Sequence, residues 1–144
     1  LGAGLRLPVD GAVFVSVNDR DKEAVLPIAR RLAELGFELL ATRGTHQFLH
    51  SKRVPAEVIL KIQEGRPNVV DAIKNGDISL MINTPAGEKT QAFDHEIRMA
   101  AVTYGIPYTT TLAGAAAVTA GIESFKKNGK IRICSLQEFH ENTH

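Results

Sequence analysis

Cysteine and tryptophan are almost absent from this sequence, which has one cysteine, Cys134, and no tryptophan. A single thiol cannot form an intrachain disulfide. This excludes the small disulfide-stabilised secreted proteins and favours a reducing, cytoplasmic environment. Apolar runs are short as well, and none approaches the roughly 20 residues that a membrane-spanning helix needs. The sequence therefore predicts a globular protein that works in water, without a membrane partner.

An excess of charge of either sign is also missing. The 17 lysines and arginines nearly balance the 16 aspartates and glutamates, and the formal net charge is +1. General attraction to nucleic acid or to an anionic membrane is therefore not expected, and any basic site has to be local. Hydrophobic residues make up 44% of the 144 positions, which is enough for one domain with a substantial core.

Two regions with different character divide the protein. Residues 1–10 contain two glycines and a proline without a clear period, and they predict a linker or arm from a preceding domain. Residues 11–144 predict a single domain. The first residue is Leu1 rather than methionine, which fits a fragment of a longer polypeptide.

Strand and helix patterns alternate five times along the domain. Short β-rich runs precede amphipathic or alanine-rich segments that end at glycine or cationic residues. The predicted strands are 11–17, 37–42, 56–62, 77–85 and 106–112, and the predicted helices are 21–35, 45–52, 69–76, 91–105 and 113–129. This order predicts an α/β fold: a Rossmann-like three-layer domain with a five-stranded parallel central sheet and helices on both faces.

The carboxyl ends of the predicted strands carry hydroxyls, cations, an amide and glycines. Ligands of such sheets bind at that edge. The candidates are Lys22, Thr42, Gly44, Thr45, Lys61, Asn83 and Thr84, with Arg66 and Thr110 as secondary candidates. No histidine, cysteine or pair of convergent carboxylates is expected among them, so neither a catalytic residue nor a metal ligand is assigned. This set predicts a site for a phosphate attached to a sugar.

The segment ATRGTH, residues 41–46, is central to this prediction. A strand that turns into a helix exposes backbone N–H groups that lack helical acceptors, and Gly44 allows an anion to approach them. We expect the N–H groups of residues 44–46 to face open space beside the two threonine hydroxyls. A structural explanation remains open, in which Thr45 is the helix N-cap and Thr42 a β-branched strand end. Lys22, in the first turn of a helix, is expected to add little to stability.

Other residues with possible chemistry have simpler explanations. Residues 140–144 match the zinc-protease pattern H-E-x-x-H, but no third ligand follows them. His46 and His50 are interpreted as exposed helix residues and Cys134 as a buried small apolar residue. The lysines near the end of the last predicted helix, at positions 126, 127 and 130, are interpreted as solvated surface.

Several motifs together resemble a known family. S-V-x-x-x-D-K, A-T-x-G-T, E-G-R-P and I-N-T-P occur in this order within residues 11–140. The sequence resembles the C-terminal allosteric domain of the carbamoyl-phosphate synthetase large chain, which belongs to the methylglyoxal-synthase-like group. The leading LGAGLRLP resembles the junction that leaves the second ATP-grasp half of that large chain.

This resemblance implies a non-catalytic domain of a cytoplasmic, ATP-dependent ligase that serves pyrimidine and arginine biosynthesis. It implies that the domain binds UMP and IMP, or phosphate, at one overlapping site formed by Lys22, Thr42 and Thr45, with Lys61 and Asn83 nearby. The implied partners are the rest of the large chain and its glutaminase small subunit, and self-association stays open. No cofactor is implied. Pro85 departs from members that carry a hydroxyl residue after I-N-T.

Two alternatives remain. The first is a stand-alone phosphate-recognising lyase of the methylglyoxal synthase type. By this resemblance the lyase has a catalytic carboxylate where this protein has Arg66, which cannot act as a general base. Asp71 is the candidate to replace that carboxylate, but it lies inside the following helix pattern. The second alternative is an oligomerisation domain with a vestigial pocket.

Overall fold

A five-stranded, all-parallel sheet forms the centre of the domain, with the strand order β3-β2-β1-β4-β5. The computed structural model describes residues 7–139 and the side chains of residues 7–128. The strands are β1 Ala12–Ser16, β2 Glu38–Ala41, β3 Glu57–Val58, β4 Ile78–Asn83 and β5 Tyr108–Thr109. The α/β class and the parallel five-stranded sheet predicted from the sequence are confirmed.

Five α-helices cover the two faces of the sheet. They are α1 Lys22–Glu34, α2 Arg43–Ser51, α3 Val69–Lys74, α4 Gln91–Thr103 and α5 Leu112–Phe139, with 3-10 turns at Asp19–Asp21, Ile62–Glu64 and Glu88–Thr90. Among the described residues, no helix combines the length and apolar composition needed to cross a membrane.

Side-chain alternation along the central strands explains the two-sided core. Val13 and Val15 of β1 pack on one face with buried residues of α1, α2 and α5. Phe14, between them in sequence, points the other way and packs with residues of α3 and α4. Successive strand residues face opposite sides, so a strand covered on both faces needs apolar residues at every position.

The two edge strands are much shorter than predicted. β3 has two residues where the pattern 56–62 predicted seven, and β5 has two where 106–112 predicted seven. Each edge strand has a single neighbour and pairs with it at two positions only. The β2–β3 register ends at Ala41 and Val58, where β2 turns into α2. Likewise β5 pairs only with Met81 and Ile82 of β4.

The last helix is longer than predicted. Gly129 was expected to end it, but α5 continues to Phe139. A glycine inside a helix costs only about 1 kcal/mol relative to alanine, and no proline follows to enforce an end. Lys126 is also not simply solvated, since its Nζ donates to Leu35 O at 3.0 Å and lies 5.4 Å from the centroid of the Phe37 ring. This lysine joins α5 to the carboxyl end of α1.

The described part of the N-terminal arm packs against the domain. A Cβ at Gly121 of α5 would come within 3.2 Å of Leu7 Cδ1, so the absence of a side chain there makes room for the leucine. Ser79 Oγ donates to Asp10 O at 2.7 Å. Residues 7–10 therefore follow a defined path over α5 and β4.

Candidate functional site

A cavity of about 240 Å³ opens at the carboxyl edge of the sheet, above β2, β1 and β4. All seven principal candidates from the sequence line it: Lys22, Thr42, Gly44, Thr45, Lys61, Asn83 and Thr84. Its wall also includes Ser16, Val17, Asn18, Asp19, Arg43, Glu64, Ala86, Thr90, Phe93 and Asp94. The strand-end rule thus brought together residues that are up to 62 positions apart in sequence.

The first turn of α2 presents hydrogen-bond donors to this cavity. Thr42 is the N-cap residue, and its side chain makes no capping hydrogen bond. Instead, its hydroxyl bonds Ser16 Oγ at 2.9 Å. Within the described residues, no acceptor bonds the N–H groups of residues 43–45, whereas His46 N–H donates to Thr42 O at 2.7 Å. The available donors therefore belong to residues 43–45, one position earlier than predicted.

Thr45 has a different structural role from the one considered in the sequence. It is not the N-cap, because that position belongs to Thr42. Its buried hydroxyl accepts a hydrogen bond from Val17 N–H at 3.1 Å. The side chain therefore ties the end of β1 to the first turn of α2 and fixes the position of the exposed N–H groups.

Two lysines approach the cavity from opposite sides of this turn. Lys22 Nζ donates to Val17 O at 3.1 Å and pairs with Asp19 Oδ1 at 2.8 Å, which keeps the pKa of Asp19 below its ordinary value. These two contacts give Lys22 a structural role that the sequence analysis did not predict. Lys61 Nζ lies 5.6 Å from the centroid of the Phe93 ring, and no carboxylate among the described residues is within ion-pair distance of it.

A third cation, Arg43, is joined to a carboxylate of the cavity wall. Its Nε lies 3.2 Å from Glu64 Oε2. The other carboxylate oxygen, Oε1, accepts the backbone N–H of Lys61 at 2.8 Å. Glu64 thus holds the turn Ile62–Glu64 close to the beginning of α2.

The opposite wall of the cavity carries a polar network on β4, β5 and α4. The buried Asn83 donates both hydrogens of Nδ2, one to Asp94 Oδ1 at 2.9 Å and one to the Tyr108 hydroxyl at 2.9 Å. Thr90 Oγ1 donates to Asp94 Oδ2 at 2.9 Å. Burial raises the pKa of Tyr108 above its ordinary value.

Three carboxylates line the cavity, Asp19, Glu64 and Asp94, although the sequence analysis expected none to converge there. Asp94 was missed because it follows β4 by a seven-residue loop and lies in the first turn of α4. One signal was available: in parallel α/β folds, the helix that follows a strand begins at the same edge where the strand ends. Each first-turn acidic residue was therefore a candidate.

The two secondary candidates lie outside this cavity. Arg66 is exposed at a separate surface depression and forms an ion pair with Asp71, with 2.7 Å between Nη2 and Oδ1. Thr110 lines a neighbouring cavity of about 280 Å³, which borders the first one at Asn83 and Asp94. Asp71, the stand-in for a lyase carboxylate, also accepts Asn68 N–H at 2.8 Å as part of the α3 cap.

The histidines of α2 show no sign of a metal site. His46 Nε2 lies 3.1 Å from Ala56 O, and its ring stacks on His50 with 5.9 Å between centroids. His46 is part-buried, in contrast to the exposed position predicted. Over the described part of the protein, no group of three or more histidine, cysteine or acidic side chains could hold a metal ion. The H-E-x-x-H pattern, Cys134 and Lys130 lie outside the residues whose side chains are described.

The fold and cavity describe a class of protein: a small parallel α/β domain with an anion-compatible helix start at its carboxyl edge. The family model described as "MGS-like domain" matches residues 24–110, more than half of the sequence. The chain belongs to this family of MGS-like domains, as the resemblance in the sequence implied.

Curated relatives with similar sequences are much longer than this protein, which matches one section of each. The chain is 47% identical to the carbamoyl phosphate synthase large chain of Archaeoglobus fulgidus over 99% of its own length, but it spans 13% of that relative. It is 47% identical to the large chain of a Nostoc species, again spanning 13% of it. A third relative is the C-terminal section of the large chain of Aquifex aeolicus, with 46% identity over 97% of this protein and 27% of the relative.

A solved structure supports the same fold. The methylglyoxal synthase of Elizabethkingia anophelis matches with a TM-score of 0.61, covering 78% of this protein and 79% of that one. The sequence identity is 18%, so this match speaks for the fold alone.

Proposed function

We propose that this protein is the regulatory domain of a glutamine-dependent carbamoyl-phosphate synthetase large chain, and that it binds a nucleoside monophosphate of the UMP or IMP type. In this proposal the parent is a cytoplasmic ATP-dependent ligase of pyrimidine and arginine biosynthesis. The other partners are the rest of the large chain and its glutaminase subunit. The similarity to large chains over nearly the whole length of this domain supports that context.

One observation carries the binding proposal: three N–H groups at the start of α2 lack acceptors among the described residues and face a cavity that Lys22, Lys61 and Arg43 also line. An anion at a helix N-terminus gains hydrogen bonds and the favourable end of the helix dipole. Such a site suits a phosphate monoester. The cavity extends from there towards β4, which leaves space for the group that carries the phosphate.

Regulation requires more than binding. An effector changes activity only if it binds two global states of the synthetase with different affinity, and typical coupling free energies are about 1–3 kcal/mol. The arm over residues 7–10 packs against α5, and α5 contacts α1 through Lys126. Because α1 begins at Lys22, these contacts connect the cavity to the arm, and in this proposal the arm leads to the rest of the large chain.

Calorimetric titration with UMP, IMP and inorganic phosphate tests the proposal. We expect both nucleotides to bind, to compete with each other and to be displaced by phosphate. Lys61→Met should weaken the binding of all three ligands. It removes the cavity cation that has no ion-pair partner among the described residues. Lys74→Met, at an exposed position of α3 outside the cavity, is the matched control and should leave binding unchanged. Absence of binding by all three ligands would contradict the proposal and favour a vestigial pocket.

The lyase alternative is less well supported by the geometry. Arg66, at the position of the lyase's catalytic carboxylate, pairs with Asp71, the stand-in within α3, away from the cavity. Incubation of the protein with dihydroxyacetone phosphate tests this directly. We expect no methylglyoxal, and measurable turnover would reverse the assignment.

A further inference from the structure

The outer face of α4 carries a stripe of side chains with little charge. Ala92, His95, Met99 and Val102 are exposed and recur at intervals of three, four and three residues, so they lie on one face of the helix. Met99 is 50% exposed and Val102 is 66% exposed. We call these four residues the α4 stripe. It lies opposite the face that α4 buries in the core.

A solvated helix of the same protein has a different outer face. α1 also has 13 residues, and its exposed side carries Arg30, Arg31 and Glu34, as is usual for a helix with one face in water. α4 instead places a methionine and a valine there, and methionine is enriched at protein interfaces. The exposed Glu96 and Arg98 flank the stripe. An apolar centre with a polar rim is typical of an interface.

We propose that the α4 stripe is the surface on which this domain docks against the rest of the large chain, through an apolar helix face or groove of that chain. This inference rests on the part of the proposed function that makes this protein a section of a longer polypeptide. Three observations favour this occupant: the small area of the stripe, the length of the curated relatives and the position of α4 beside the cavity.

The area of the stripe is too small to hold a separate molecule. A helix of 13 residues is about 20 Å long and about 10 Å wide, so its outer face covers roughly 200 Å². A stable contact between two free proteins buries about 800 Å² on each of them. A contact within one chain needs less, because a short linker holds the two parts at an effective concentration in the mM range. The size of the stripe therefore favours a tethered occupant over a second copy of this protein.

The curated relatives are long enough to supply that occupant. This protein spans 13% of the large chains that it matches over nearly its whole length. Under the proposed function, most of the parent chain therefore lies outside this domain, in the same polypeptide. A segment of that chain is always close to α4, at any protein concentration.

α4 also joins the stripe to the cavity. The first turn of α4 forms part of the cavity wall, and Met99 and Val102 lie about 8–12 Å further along the helix axis. The inner face of α4 packs in the core with residues of α3 and β4, so the helix is held as one element. An effector influences distant sites only through an element whose arrangement both sites bias. α4 meets this requirement if its outer face contacts the rest of the large chain.

Alkylation of a cysteine placed in the stripe tests the inference. Val102→Cys is made in this protein alone and in the full-length large chain that contains it, and peptide mass spectrometry measures the rate of maleimide modification at that residue. We expect a rate about tenfold or more lower in the large chain, because a stripe that is uncovered for about 10% of the time or less reacts in that proportion. Val58→Cys, at an exposed apolar position of the edge strand β3, is the matched control and should react equally fast in both.

Each other outcome has a definite meaning. Equal rates at residue 102 in the two proteins overturn the inference, and so does equal slowing at residues 58 and 102, which indicates general obstruction. A slow rate in this protein alone also overturns it, and sedimentation equilibrium then shows whether a second copy covers the stripe. Met99→Cys repeats the measurement if Val102→Cys does not fold. Calorimetry with UMP is independent of this test: absence of UMP binding, with residue 102 protected in the large chain, overturns the nucleotide-binding proposal and leaves the docking inference intact.

Discussion

Arg43 Nε lies 3.2 Å from Glu64 Oε2, and this contact connects the start of α2 to the turn Ile62–Glu64 across the cavity that both residues line. Arg43 also carries one of the three backbone N–H groups that lack acceptors among the described residues. An anion bound at those N–H groups therefore competes with Glu64 for Arg43. Under the proposed function, the ion pair therefore lowers the affinity for the anion by the free energy needed to break the pair.

Replacing Glu64 should therefore strengthen anion binding. In Glu64→Gln the amide oxygen still accepts Lys61 N–H, but Arg43 no longer has a carboxylate partner. Both side chains are partly exposed, so the pair is worth about 1 kcal/mol or less, and we expect phosphate to bind up to about fivefold more tightly. Glu23→Gln, an exposed carboxylate of α1 outside the cavity, is the control for net charge. A weaker or unchanged phosphate affinity in Glu64→Gln would falsify the competition model.

Replacing Lys22 should reduce both affinity and stability. Lys22→Met removes a cavity cation and leaves Val17 O without its charged donor, at a cost of about 1 kcal/mol in the free energy of unfolding. Nucleotide affinity should fall by about 1.5–3 kcal/mol, the range for a hydrogen bond to a charged group. Urea denaturation and calorimetry measure the two effects. Arg20→Met, an exposed neighbour outside the cavity, should show neither.

The ion pair between Arg66 and Asp71, at the start of α3, should make the free energy of unfolding depend on pH in the acid range. Arg66 and the N–H of Asn68 hydrogen-bond Asp71 and lower its pKa in the folded protein. The stability from this group is therefore present above the unfolded pKa of about 3.9 and is lost as the pH falls through the folded value. Asp71→Asn should be less stable than the unaltered protein at pH 7, and the difference should shrink below about pH 4.

A companion variant tests the cause of that shift. Arg66→Gln removes its largest contributor, so the pKa of Asp71 should rise towards its unfolded value, and the acid-induced loss of stability should become smaller and end at a higher pH. Urea denaturation at a series of pH values measures both variants. A constant difference between the unaltered protein and Asp71→Asn from pH 7 to acid would refute the linkage.

Lys126 should stabilise the packing of α5 on α1. Its ammonium bonds Leu35 O at the carboxyl end of α1, where a cation is favoured by the helix dipole. Lys126→Met loses both the hydrogen bond and the ammonium above the Phe37 ring, so we expect a loss of about 1 kcal/mol in unfolding free energy. The adjacent, exposed Lys127→Met is the matched control, and equal effects of the two substitutions would count against this role.

The sequence predicted the sheet and most of the cavity because both follow from short-range patterns. Continuous apolar runs identified β1 and β4, and the strand-end rule located Lys22, Thr45 and Asn83 at one edge. It could not give the lengths of β3 and β5, because the length of an edge strand depends on how many of its residues pair with its single neighbour. That limit is a property of tertiary pairing and has no local signal.

The site residues that sequence reasoning misplaced share a physical cause. Arg66 follows a predicted strand but pairs with Asp71, five positions later, and that pairing turns it away from the cavity. Asp94 was overlooked because it lies in the helix after β4, beyond a seven-residue loop, and only its contact with Asn83 places it in the cavity wall. In both cases a contact formed in three dimensions, rather than position directly after a strand, decides which residues face the cavity.

The central place of β1 has a consequence for the order of folding. β1, α1 and β2 are contiguous in sequence and form a local unit that already contains Lys22 and the turn into α2. β4 joins β1 from far along the sequence, with Phe14 opposite Met81, and closing so long a loop costs more conformational entropy. We therefore expect the cationic end of the cavity to form early and the acidic end, with Asn83 and Asp94, to form only when β4 docks. An incompletely folded molecule would then attract phosphate without distinguishing what carries it.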